Sequence, residues 1–369
     1  MSDLPDLSSD LMHWLNDAAL PLWWRKGADH QRGGFHEALD MQGEPVAANR
    51  RARVQARQVY VYATAGRLGW NGPWRAAVNH GLDFFLARYR RPDGLYRTVV
   101  APDGSPVDEA AWLYDQAFAL FAMAQASSAI SERRDELLGA ANALRRALDG
   151  WRWPDGGFKE PEAKYIRQSN PHMHLFEACL AWAEVDQDPA WNTLADEIAE
   201  LALTHLIDAN GALHEFFAEG WALADGVDGR IVEPGHQLEW AWLLERWARL
   251  RGRDDAHRAA ERLFHIGVEW GVRDSRGVAT QQLLDDRSIH DDVARLWPQT
   301  ERIKAALILS DPAEAARGIS GLKLYFDTPV PGLWRDKLHP DGTFTDEPAP
   351  ASSFYHIVCA IAELRAADG

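Results

Sequence analysis

Six residues with useful chemistry recur in this 369-residue chain at almost one interval. They are Arg57, Tyr114, His174, His236, Trp297 and His356, separated by 57, 60, 62, 61 and 59 positions. Three are histidines, whose ordinary pKa near 6.5 suits both taking and giving a proton at neutral pH. A lone histidine in an apolar helix is usually a satisfied core residue. Three at matching phases of a repeat converge on one place and point to acid–base work. Arg57 lies in an apolar stretch, where a guanidinium is costly without a partner. That partner is either a structural carboxylate or a substrate oxygen. Tyr114 and Trp297 read first as core aromatics and second as flat platforms for a ligand.

Two of the histidines stand in H-x-x-E, His174 with Glu177 and His236 with Glu239. On a helix, i and i+3 share a face. Each Glu is therefore placed to fix its histidine's tautomer and raise its basicity, or simply to make a local hydrogen bond. His172, His174 and Glu177 are close enough in sequence to raise a metal site, but i, i+2 puts the two histidines on different helix faces. With no H-E-x-x-H and no Cys cluster, no metal and no cofactor are expected. The chain has no phosphate-cradling or dinucleotide glycine motif and no G-x-S-x-G elbow.

The elements that must position these residues follow from a second repeat. Turn signals recur as RGGFHEAL at Gly33, PDGLYRTV at Gly94, PDGGFKEP at Gly156, ANGALHEF at Gly211, SRGVATQQ at Gly277 and PDGTFTDE at Gly342. Gly after Asp or Asn is hairpin chemistry, because the turn needs positive φ. The intervals are 61, 62, 55, 66 and 65, so six units fill the chain. Between turns the pattern is helical. Trp74, Ala77, Val78, Leu82, Phe85, Leu86 and Tyr89 line one face of 74–89. Similar one-sided helices are predicted near 10–24, 131–148, 190–206, 256–271 and 312–325. The segment 53–68 is apolar over most of its circumference, as are 112–126, 173–185, 236–250, 297–309 and 354–365. Each unit is thus an amphipathic helix, a Gly hairpin loop and a buried helix. Six units closed in a ring make an all-α (α/α)6 barrel, a toroid with the buried helices as inner wall and the hairpin loops on the rim of the site. An open solenoid would call for polar capping units, which the chain lacks. Residues 1–369 read as a single catalytic domain.

Composition narrows the partners. With 39 basic and 55 acidic residues the net charge is −16, which argues against nucleic acid and against an anionic membrane surface. Only six residues are Lys, which disfavours a phosphorylated substrate. Cys179 and Cys359 sit in apolar segments and read as buried free thiols of a cytoplasmic protein. The start, MSDLPDLSSD, has no signal-peptide character, and no run of 18 apolar residues occurs. Seventeen Trp read first as core and second as platforms for the apolar faces of sugar rings.

Taken together, the stretches RRARVQARQVYVYA, LYDQAFAL, NPHMHLFEA, EPGHQLEWAWLL, LWPQTE and SSFYHI resemble the N-acylglucosamine 2-epimerase superfamily, in order and over nearly the whole chain. Their wording is nearest to the D-mannose isomerase and sulfoquinovose isomerase branch. The resemblance implies an (α/α)6 barrel and metal-independent epimerisation or aldose–ketose isomerisation. It further implies that Arg57 holds substrate oxygens near C1 and C2 and that His174 binds the sugar. His236 and His356 would be the acid/base pair, with Glu239 supporting His236, and Trp297 would stack on the sugar. Glu177 and Tyr114 join the substrate-binding set. Cellobiose 2-epimerases commonly carry two adjacent Trp where this chain has Leu296-Trp297. They also carry Trp five residues before the last histidine, where this chain has Ala351. Both departures weaken a disaccharide reading.

The expected activity is interconversion of an unphosphorylated aldose and ketose, D-mannose and D-fructose first, through a cis-enediol. A 2-epimerase acting on mannose/glucose, N-acetylglucosamine or cellobiose is the nearest alternative, and a sulfoquinovose isomerase follows. A glycoside hydrolase on this fold would need two opposed carboxylates. Asp103, Asp115 and Glu233 are candidates, but no pair stands out. A non-catalytic carbohydrate binder would have no need of three aligned histidines. The expected partner is a small sugar, and the oligomeric state, monomer or homodimer, is left open by the sequence.

Overall fold

The computed structural model describes residues 4–368, and its helices follow the predicted order. They are α1 (Leu4–His13), α2 (Ala52–Arg67), α3 (Trp74–Arg88), α4 (Leu113–Ala129), α5 (Arg134–Leu148) and α6 (Ser169–Val185). Then come α7 (Pro189–Leu201), α8 (Pro234–Arg251), α9 (Asp254–Glu269), α10 (Leu296–Ile308), α11 (Pro312–Lys323) and α12 (Ser352–Asp368). The chain divides into two compact units. One holds Leu20–Leu201 with Pro350–Tyr355; the other holds the residues up to Ala19, Ala202–Ala349 and those from His356 on.

In the first unit α2 packs on α4 and α4 on α6, while α3, α5 and α7 each cover the buried helix before them. In the second, α8 packs on α10, and α9 and α11 cover them. The two helix types differ as their patterns demand. In α8 every residue from Pro234 to Glu245 is buried. In α9 the buried residues, Ala256, Ala260, Leu263, Phe264, Ile266 and Gly267, gather on one side of a 3.6-residue period. Trp23, Trp182, Trp191, Trp240, Trp247 and Trp334 are fully enclosed, so most of the indole surface serves the core. Cys179 and Cys359 are buried free thiols, as expected. No helix among the described residues is long and apolar enough to cross a membrane.

The hairpin turns are joined to the buried helices by a recurring clamp that pattern reading did not reveal. Each turn glycine has positive φ, +87° at Gly94 and +93° at Gly156. The residue two places on has buried backbone groups that need partners. Gln55 on α2 accepts from Phe35 N–H and donates to Phe35 C=O, both at 2.8 Å. Gln116 on α4 treats Tyr96 the same way, at 2.8 and 2.8 Å. So do Gln237 with Leu213, at 2.9 and 2.8 Å, and Gln299 with Ala279, at 2.8 and 3.0 Å. On α6 the place belongs to His172, whose Nε2 accepts from Phe158 N–H at 2.8 Å while Nδ1 donates to Gln168 C=O at 2.7 Å. Each clamp sits within two residues of one of the recurring candidates, and so fixes where that candidate's helix meets its loop.

Candidate active site

Four of the predicted residues meet in the first unit. Arg57, buried on α2, donates from Nη2 to the Tyr114 hydroxyl at 2.8 Å and from Nη1 to Ser352 C=O at 3.3 Å. Its guanidinium carbon lies 4.3 Å from the Phe118 ring centre, 5.1 Å from Tyr355 and 5.9 Å from Tyr114. These aromatic faces let a guanidinium persist in a buried setting without a carboxylate in contact. Its Nε–H is buried and unmatched, a donor still to be used. His174 stands edge-on to Tyr114, ring centres 4.9 Å apart, with Nδ1 3.4 Å from Glu177. The Tyr355 hydroxyl lies 2.6 Å from both Glu177 oxygens and donates to them. The H-x-x-E pairing of His174 and Glu177 is therefore present, anchored by a tyrosine that the motif did not reveal.

Tyr114 is placed by its own backbone. Glu160 reaches across from the loop after Gly156 and accepts from the N–H groups of Leu113 and Tyr114, at 2.6 and 3.1 Å. It thereby caps the first turn of α4. Burial raises the Glu160 pKa to about 7 in spite of these donors. Beneath them Asp115 is enclosed beside Arg53, 3.3 Å away, and burial raises its pKa as well. Asp103 lies in an exposed turn, bound to Ser105. The carboxylates weighed for a hydrolase are thus a buried ion-pair partner, a turn residue and, in Glu233, a neighbour of His236.

The second unit brings together His236, Trp297, His356 and Glu239. His236, on the first turn of α8, has Nδ1 3.0 Å from Glu215 and 3.3 Å from Glu233. Burial disfavours its charged form, but the two carboxylates outweigh this and raise its pKa to about 10, with Glu239 adding a lesser electrostatic push. His236 is therefore an imidazolium across neutral pH. Glu233 in turn is pushed up by burial and by the Glu215 charge, and it accepts from Gln282 at 2.8 Å. Glu215 and Glu233 thus stand at His236 Nδ1, the latter three residues before it, and Glu239, three residues after, adds its charge to theirs.

Trp297 stands between the two histidines, its ring centre 5.0 Å from His236 and 5.7 Å from His356. His356, on α12, donates from Nδ1 to Glu301 Oε1 at 2.9 Å. Glu301 Oε2 accepts from Lys304 at 2.6 Å, and both groups are fully enclosed. Glu239, Glu301 and His356 each present a donor atom, all within 4.8 Å of one another. The cation this cluster already holds is the Lys304 ammonium. On α6, His172 is spent on its clamp, and burial lowers its pKa to about 4.

Sequence reasoning missed Glu215, Glu160, Glu301, Lys304 and Tyr355. A signal for two of them was present. Glu stands four residues after the turn glycine in RGGFHE, PDGGFKE and ANGALHE, giving Glu37, Glu160 and Glu215. Glu37 likewise binds a helix start, accepting from Arg51 N–H at 2.7 Å.

Comparison with known proteins places this arrangement. The sequence profile of the N-acylglucosamine 2-epimerase family matches residues 33–360, and the chain belongs to that family. It is 50% identical over 373 residues to a mannose-6-phosphate isomerase of Rhizobium meliloti (strain 1021), covering 97% of this chain and 96% of that one. It is 29% identical to a D-mannose isomerase of Thermobifida fusca over 377 residues, covering 91% and 90%. Among solved structures it superposes on a cellobiose 2-epimerase of Bacillus thermoamylovorans B4167 with a TM-score of 0.88, at 18% identity, covering 98% of this chain and 100% of that one. The fold is the all-α (α/α)6 barrel of these enzymes, as the repeat predicted. The chain is a sugar isomerase or epimerase.

Proposed function

We propose that the protein, working as one catalytic domain, is an aldose–ketose isomerase that interconverts mannose and fructose through a cis-enediol. The observation that carries this reading is the opposite setting of two histidines on one indole. His236 Nδ1 stands between the carboxylates of Glu215 and Glu233, and His356 has its Nδ1–H on Glu301. Isomerisation needs both kinds of group. An acid must protonate the ring oxygen to open the pyranose, and a base must take the C2 proton. His236 gives its proton to the ring oxygen as the C1–O5 bond breaks and takes the proton from O1. His356, through Nε2, then takes the C2 proton while His236 protonates O1, giving the enediol; His356 returns its proton to C1 as His236 takes the proton from O2. Arg57, with its unmatched Nε–H, holds the O1/O2 charge that develops, where fixed donors stabilise most. His174, held by Glu177, and Tyr114 bind sugar hydroxyls, and Trp297 covers the apolar face of the ring.

The free sugars are the form favoured by an acidic chain with six lysines. A second reading, the sugar 6-phosphates, is favoured by the 50% identity to the mannose-6-phosphate isomerase of Rhizobium meliloti. One experiment tests both. The purified protein is incubated in parallel with mannose, mannose 6-phosphate, glucose, N-acetylglucosamine, cellobiose and sulfoquinovose, and products are identified by NMR. Fructose from mannose is the expected result. Fructose 6-phosphate alone would select the second reading, and an epimer without any ketose would overturn both.

A further inference from the structure

We propose that Lys304 is a positioning residue which, acting through Glu301, keeps His356 an uncharged base at neutral pH. The inference rests on the reading of His356 as the base.

Lys304 is three residues after Glu301 on α10, and its side chain is fully enclosed. A buried ammonium is costly, so a position that served packing alone would be better filled by an apolar side chain. This ammonium is held on two sides. Glu301 Oε2 lies 2.6 Å from Nζ, and the face of Trp242 lies 3.8 Å from it. The other oxygen of the same carboxylate accepts from His356 Nδ1 at 2.9 Å and from the Thr300 hydroxyl at 3.2 Å. Glu301 is thus a bridge with an imidazole at one end and an ammonium at the other. Three donors fix its plane, and with it the direction of the His356 ring.

The electrostatic sense follows from elementary rules. A carboxylate on Nδ1 alone favours imidazolium and raises the histidine's pKa. A cation on the far oxygen offsets that charge and moves the imidazole back toward its ordinary value. The groups that face His356 are Glu301 and Lys304 from α10 and Glu239 from α8. On α12 itself the neighbouring Tyr355 is engaged by Glu177, and the Ser352 carbonyl by Arg57. Lys304 is the cation that answers Glu301. His236 provides the contrast inside the same molecule: the carboxylates of Glu215 and Glu233 both stand at its Nδ1, and they push its pKa up.

The test reads the ionisation of His356 directly and needs no turnover. Full-length protein labelled with ¹⁵N-histidine is titrated by NMR without sugar, with the His356 signals assigned by their loss in His356→Asn. Wild type should be neutral at pH 7, with its proton on Nδ1. Lys304→Met should raise the His356 pKa by about one unit or more, and Lys304→Arg, which keeps the charge, should leave it near wild type. The acid limb of the kcat/KM profile should move with it. A Lys304→Met titration that overlays wild type, or an equal shift in Lys304→Arg, would overturn the proposal. Should Lys304→Met fail to fold, wild type decides alone, because imidazolium at pH 7 is incompatible with the role assigned. Absence of any sugar turnover would sink the isomerase reading while leaving this titration to stand.

Discussion

Gly235 and Trp297 touch so closely that a Cβ added to the glycine would stand 2.3 Å from the indole. This glycine precedes His236 on the first turn of α8, and the indole it admits is the one flanked by both histidines. The G of EPGHQLE is therefore a packing requirement of the site.

Gly235→Ala should accordingly push Trp297 out of its place. Overpacking of this kind typically costs about 1–3 kcal/mol in stability. The larger expected effect is on turnover, a fall of about tenfold or more, with a changed tryptophan fluorescence spectrum. Wild-type kinetics in a folded Gly235→Ala protein would show that Trp297 can move without consequence.

His356→Asn should fold, bind sugar, and lose turnover by about 10²–10⁴-fold, the usual scale for an acid–base group. In D2O, wild type should place solvent deuterium at C1 of fructose formed from mannose, to the extent that the base exchanges with water. Near-normal rates in the variant would move the role of base to His174.

Glu215→Gln removes one of the two carboxylates that hold His236 charged. The sign is set by His236 acting as an acid, since activity is lost as pH rises through its pKa. That pKa is about 10 in wild type, raised by Glu215 and Glu233 against the effect of burial. The variant's alkaline limb of kcat/KM should therefore descend at lower pH, by about one unit or more. An unchanged limb would mean that Glu233 alone suffices.

His172 supplies a test of stability. Burial lowers its pKa to about 4, and its Nε2 must stay unprotonated to accept from Phe158. Between pH 6.5 and 4 the unfolded chain binds this proton and the native protein does not. Stability is whole above about 6.5 and lost as pH falls, by up to ~3 kcal/mol from this group. His172→Gln installs the side chain found at the other clamps. It should match wild type at pH 7 within about 1 kcal/mol and escape that acid loss. Urea midpoints at pH 7 and 4.5 decide the matter, and equal losses would show that His172 does not govern it.

The fold was legible because its periods are long and redundant: six turns and six buried helices had to agree. Boundaries were less so. α6 begins at Ser169, four residues before the apolar pattern does, because Pro171 suits a helical first turn. The histidines were legible for the same reason of phase. Two of their carboxylates, Glu215 and Glu301, were not, because they come from elsewhere in the chain. Glu301 precedes His356 by 55 residues. Glu215 lies in a loop 21 residues before His236, outside the reach of helical spacing. Local spacing names the acid or base, but the groups that tune it are chosen by packing.

The clamps have a consequence for how such an enzyme changes. Each frames a stretch of chain between a turn and a buried helix: 20 residues from Phe35 to Gln55 and from Tyr96 to Gln116, 14 from Phe158 to His172, 24 from Leu213 to Gln237 and 20 from Ala279 to Gln299. Both ends of each frame are pinned by hydrogen bonds that do not depend on what lies between. A loop can thus lengthen, shorten or trade its side chains while Arg57 and His174, just past the ends of their frames, keep their places. Glu37, Glu160 and Glu215 all sit two residues inside a frame. New substrate preferences can be written into the inserts before Arg57 and His174, whereas the insert from Leu213 to Gln237 carries Glu215, Glu233 and His236, so that changes there reach the proton chemistry itself.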